Sequence, residues 1–215
     1  IAHLKRNEYA LGHEYLGKLI AADQTFAPAY SALAGSYLKQ NQLKTAEFVA
    51  KRGLEQSGED PTLLNLLGII LRRRGSLNEA ETWFNKALEK DPNHIASLVN
   101  KASINVIRFE YETAARDVGR ALSLNPFEVD ALMLASVILQ RQEQYESARD
   151  ILYKTIDLDP ENAEARFNLA LIEDQMNHKT SARRLIEEVL QLEETGTPLY
   201  EKAKLKLVDL APLAL

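Results

Sequence analysis

His3, His13, His94 and His178 are the side chains of this 215-residue chain best suited to hold a metal ion or pass a proton near neutral pH. Metal binding needs such groups to converge, usually three or four residues apart on one helix or close together around a turn. The histidines are 10, 81 and 84 residues apart, so none of these intervals brings two of them together. His94 and His178 fall beside predicted turns, where a solvated loop histidine is the simpler reading. The chain has no cysteine, which excludes disulfides and thiolate metal sites. It carries no glycine-rich phosphate loop and no nucleophile elbow. The 31 acidic residues mostly decorate the polar faces of amphipathic helices. The segment therefore reads as non-catalytic, with no metal and no cofactor. A formal net charge of -5 argues against a nucleic-acid partner. The longest apolar runs, such as residues 131–139, are too short for a transmembrane segment. What is left is recognition by asparagine, arginine, methionine, aromatic and aliphatic side chains.

Those side chains sit on elements that repeat. Ala46, Ala80, Ala114, Ala148 and Ala182 follow one another at intervals of 34 residues, and one further step back lands on Gly12. Pro92, Pro126 and Pro160 keep the same interval. A small residue at fixed spacing implies a copied unit whose elements approach too closely for a large side chain. In residues 61–94, Leu64, Leu67, Gly68 and Leu71 share one helical face, and Ala80, Phe84 and Ala87 share a second. Arg74-Gly75-Ser76 breaks the first helix. Ser76 and Glu79 have the spacing of a capping box. Asp60-Pro61 supplies an N-cap and a first-turn proline, and Asp91-Pro92-Asn93 ends the second helix. Each unit is thus a helix, a tight turn and an antiparallel helix.

Leu64, Leu67, Gly68 and Leu71, then Ala80 and Phe84, then Pro92 resemble the tetratricopeptide repeat. The resemblance implies an all-α fold, a right-handed α-α superhelix (solenoid) of 34-residue helix-turn-helix repeats. Five full repeats fit, at residues 27–60, 61–94, 95–128, 129–162 and 163–196. Their first small position is Ala34, Gly68, Ala102, Ser136 and Ala170. In this frame Gly68 and Ala80 mark where the two helices of one unit touch. Residues 1–26 read as a partial N-terminal repeat, with its turn at Lys5–Tyr9 and its second helix from about Ala10 to Ala22. Ile1 then falls inside a first helix, so the chain reads as a fragment of a longer polypeptide. Residues 197–215 read as a C-terminal capping helix and tail. In that helix Lys202, Lys204 and Lys206 alternate with Ala203, Leu205 and Leu207 as solvated residues, and Pro212 stops it.

In the resembling family the first helices line a concave groove. The outward positions here include Asn65, Ile69 and Arg72; Val99, Asn100 and Ser103; Met133, Leu134 and Val137; and Phe167, Asn168 and Leu171. Many are apolar where a non-binding surface would be polar, which marks an interaction strip. Some family members hold acidic C-terminal peptides with a carboxylate clamp of lysines, asparagines and arginine. Of the matching positions only Asn100 fits, so that clamp is absent. Asn100 and Asn168 sit where some members hold an extended peptide backbone.

Lys39, Arg72, Arg73, Arg74, Arg108 and Arg141 lie at first-helix C-termini, where a cation complements the helix dipole. The three consecutive arginines go beyond that need. Lys101, Asn105, Arg166 and Glu173 replace apolar residues of the repeat pattern, and snorkelling is the expected solution. The implied function is a protein-protein interaction scaffold binding a peptide or helical segment of a protein partner. The alternatives are a self-association module building homo-oligomers and a substrate-selecting arm of a larger enzyme.

Overall fold

A computed structural model describes residues 2–210, with side chains from Glu8 onward. Ile1, the side chain of His3 and the tail 211–215 with Pro212 lie outside the described residues. The described residues are all-α. The helices are α1 (Ala2–Ala22), α2 (Ala27–Lys39), α3 (Leu43–Ser57), α4 (Pro61–Arg73), α5 (Leu77–Lys90) and α6 (Ile95–Ile107). They continue with α7 (Tyr111–Leu124), α8 (Val129–Arg141), α9 (Tyr145–Leu158), α10 (Ala163–Gln175), α11 (Lys179–Leu192) and α12 (Pro198–Asp209). The chain forms two compact units, residues 1–104 and residues 105–215. In unit 1, α1 packs on α2, α2 pairs with α3, α3 meets α4, and α4 pairs with α5. In unit 2, α7 packs on α8, α8 pairs with α9, α9 meets α10, α10 pairs with α11, and α11 carries α12.

The alanine column is the reason these helices pair closely. Ala46, Ala80, Ala114, Ala148 and Ala182 are all fully buried. Gly12 is not their continuation: it is exposed and a Cβ there would meet nothing. At Gly68 the close partner is a ring. A Cβ built on Gly68 would lie 2.4 Å from Cε1 of Phe84, which is itself fully buried. Missing side-chain volume in α4 is thus filled by excess volume in α5, and this offsets the roughly 1 kcal/mol a helical glycine costs.

The turns follow from backbone bonding. Asn41, Gly75, Phe109, Glu143 and Asn177 adopt left-handed φ, again 34 residues apart. In each case the next residue donates its N–H to the carbonyl five residues back, as Ser76 does to Leu71 at 3.0 Å and Gln144 to Leu139 at 2.9 Å. The left-handed residue itself donates to the carbonyl three back, which completes a Schellman closure. This bonding corrects the capping box. The Ser76 N–H is already committed to Leu71, Ser76 has ψ 66°, and its side chain caps nothing. Asp60 does cap α4, accepting from Leu63 N at 3.0 Å. Only Gly75 among the five turn residues is free of a Cβ penalty. Glu143→Gly is therefore expected to raise stability by about 1 kcal/mol, read as a higher urea midpoint, because left-handed φ costs an L-residue roughly that much.

Asn7 occupies the same frame position as these turn residues, yet α1 runs unbroken through residues 5–9. The expected turn does not form.

Charge placement also departs from the snorkelling expectation. Arg166 in α10 bonds Glu188 at 3.2 Å, and buried Glu173 accepts from His178 Nδ1 at 2.8 Å. Both of these side chains in unit 2 bond a neighbour rather than reach for solvent. Asn105 is buried with its Nδ2 unpartnered, while Lys101 is half-buried. In α12, one turn of helix places Ala203 and Lys206 on the inner side and leaves Leu205 72% exposed. Alternation is not a helical period, so Lys206 is not a solvated residue.

Candidate interaction face

In unit 1 the candidate face is built from α4 and α6. Asn65 is expected outward, but the structure buries it. Its Oδ1 accepts from Ser97 Oγ at 3.2 Å and from Asn100 Nδ2 at 3.1 Å. Burial demands partners for an amide, and α6 supplies both. Ser97 shares a further short contact, 2.8 Å, with Nδ1 of His94. His94 is consequently no solvated loop residue. Burial holds its imidazole below the ordinary range, against the pull of Asp91 and Asp60. Sequence reasoning missed Ser97, although one signal was available: the same frame position is Ala29, Leu63, Ala131 and Ala165 elsewhere.

Ile69, Arg72, Val99, Asn100 and Ser103 remain half-buried, with a part of each side chain at the surface. Ser103 Oγ donates to the Asn100 carbonyl at 2.7 Å and accepts from Nη1 of Arg72 at 3.2 Å. The three consecutive arginines divide sharply. Arg73 donates to the Leu38 carbonyl in the last turn of α2 at 2.9 Å, and Arg74 pairs with Glu47 of α3. Among the described residues Arg72 bonds only the Ser103 hydroxyl, and its Nε is buried without a partner. Burial, then the charge of Arg73, pulls its guanidinium below the usual arginine range.

In unit 2 the face comes from α8 and α10. Met133, Val137, Phe167, Asn168 and Leu171 are all half-buried. Met133 and Phe167 rest against the unit core with the rest of their surfaces open. The Asn168 side chain makes no hydrogen bond among the described residues, unlike that of Asn100. Among the described residues no group of three or more His, Asp or Glu converges on a metal-binding geometry. No described helix is long and apolar enough to cross a membrane.

Three segments match the tetratricopeptide repeat family, at residues 61–94, 110–162 and 139–207. The chain belongs to the tetratricopeptide repeat family. Membership places it in general terms among protein-interaction scaffolds. It is 32% identical over 90 residues to the general transcriptional corepressor ssn6 of Schizosaccharomyces pombe, a match covering 41% of this chain. The matched stretch spans only 8% of that relative's length. Among solved structures, the APC/C hetero-tetramer Cut9-Hcn1 superposes with a TM-score of 0.80 at 17% identity, covering 94% of this tetratricopeptide chain and 41% of that one. YrrB, described as a TPR protein with an unusual peptide-binding site, superposes with a TM-score of 0.57 at 19% identity, covering 89% and 98%. Likenesses at these identities are likenesses of fold.

Proposed function

We propose that this chain is a non-catalytic scaffold that holds an extended segment of a partner protein on the first helices of its repeats. In unit 1 such a segment would lie on α4 and α6; in unit 2, taken by itself, on α8 and α10. The observation that carries the reading is the mixture at these half-buried positions. Ile69, Val99, Met133, Val137, Phe167 and Leu171 supply apolar contact, while the Asn168 amide stands uncommitted beside Phe167. Apolar anchors with a few polar groups for a peptide backbone are what strand-like ligands need. YrrB, a relative in fold, is named for binding a peptide, which supports the same class of ligand.

Selection of short random peptides on the whole chain provides the test. Phe167→Ala is expected to weaken the selected peptides by about 1–3 kcal/mol, as loss of an aromatic anchor does. Arg120→Ala, at an exposed position of α7, should leave calorimetric affinity near wild type. Normal binding by Phe167→Ala with loss in the Arg120 variant would move the site off the first helices. It would return the apolar positions to packing or self-association.

A further inference from the structure

Arg72 is the one member of the arginine triplet that the fold does not use up. Arg73 and Arg74 each reach a carbonyl or carboxylate of another helix. Arg72 meets one neutral hydroxyl at 3.2 Å, and Ser103 holds that hydroxyl in place through its own bond to Asn100. Its Nε is shut off from water with no acceptor. A partly desolvated guanidinium with no anionic partner is an unfavourable arrangement, which an anion at its open Nη2 would offset. The same frame position in unit 2 shows the contrast. There Asp174 is neutralised twice, by Lys179 and by Lys206. Net charge points the same way: unit 1 counts 13 basic against 11 acidic side chains, unit 2 counts 13 against 20. Unit 1 therefore carries a small positive net charge, and unit 2 a negative one.

We infer that the segment docking on α4 and α6 carries an aspartate or glutamate side chain that pairs with Arg72, beside a backbone stretch held by Asn100. The carboxylate would take the N–H groups of Nη2, since Nη1 is held by Ser103 and Nε is shut off from the surface. This differs from a clamp of several cations on a chain terminus: one arginine, in the last turn of its helix, reads one internal side chain. Ile69, one turn earlier on α4, supplies the neighbouring apolar contact. The inference rests on the peptide-scaffold reading above and names what unit 1 selects.

The experiment uses the whole chain and the peptides selected on it. Synthetic copies should share an acidic residue, and replacing it with its amide should weaken binding at least about tenfold. Arg72→Gln should produce the same loss, and combining the two changes should lose little more. Arg72→Lys should recover part of the affinity, because the charge returns without the fork. Arg72→Glu should bind peptides in which the acidic residue has become lysine better than it binds the originals. Thermal melts of each variant separate folding from binding. Peptides weakened by Asn100→Ala or Ile69→Ala but indifferent to Arg72→Gln would overturn the inference while leaving the scaffold reading standing. Peptides indifferent to all three would remove unit 1 from the site altogether. Loss of binding on amidating the peptide C-terminus, with the internal acid dispensable, would replace the side chain by a terminal carboxylate and also overturn it.

Discussion

Gly68→Ala is expected to destabilise unit 1 by about 1–3 kcal/mol, even though alanine is the better helix former. The added methyl would lie 2.4 Å from Cε1 and 2.6 Å from Cδ1 of Phe84. Phe84 is fully buried, so its ring has no open direction in which to retreat. Helix propensity favours the alanine by about 1 kcal/mol, too little to offset a clash of that depth. The same substitution at Gly119 should have the opposite sign. Gly119 lies in α7, is exposed, and a Cβ there meets nothing within 4 Å. Gly119→Ala should therefore gain about 1 kcal/mol. Urea midpoints of the two variants decide the matter. Shifts of equal sign would show that the Gly68–Phe84 contact does not constrain α4 against α5. Shrinking the ring gives a second check, because Phe84→Leu combined with Gly68→Ala should cost less than the sum of the single changes.

Lys206→Ala is expected to loosen α12 by about 1–3 kcal/mol. Lys206 reaches Asp174 of α10 at 2.6 Å and Asp209 at 2.9 Å, with only 18% of its side chain exposed. Burial alone would push the Asp174 carboxyl up, but the bonds from Lys179 and Lys206 outweigh it and hold the group below its ordinary 3.8. The bond to Asp174, ahead of other influences, raises Lys206 above its ordinary 10.5. A depressed carboxylate contributes stability above the unfolded pKa and loses it as pH falls through the folded value. A raised lysine contributes below its unfolded pKa and loses it as pH climbs through the folded value. The lock should accordingly be at full strength from about pH 4 to about pH 10 and weaken progressively beyond those limits, as each group passes its folded value. Hydrogen exchange over residues 198–209 measures it. The variant should exchange faster than wild type within that window, while Lys204→Ala, at an exposed position, should match wild type. Unchanged protection in the Lys206 variant would mean that Ala203, Leu207 and Leu210 hold α12 without the ion pair.

The sequence by itself determined what depends on local chemistry and on counting. A small residue every 34 positions required helices in close pairs, and the alanines from Ala46 to Ala182 are all buried. Asp60 before Pro61 required a capped helix start, and the Asp60 carboxylate accepts from Leu63 N. The family was legible from the same residues, because its pattern is a packing requirement written at fixed intervals. Tertiary structure alone decided which polar groups are free. Asn65 and Asn168 both read as outward in the frame, but only the contacts with Ser97 and Asn100 show that Asn65 is buried and used. Arg72, Arg73 and Arg74 are identical in sequence, and their three different fates depend on what α2, α3 and α6 place opposite them. Lys206 reads as solvent-facing until Asp174, 32 residues earlier, is brought within 2.6 Å. Periodicity reports which side of a helix is apolar. Whether a charge or an amide on its margin is satisfied depends on atoms from other helices, and spacing along one chain carries no record of them.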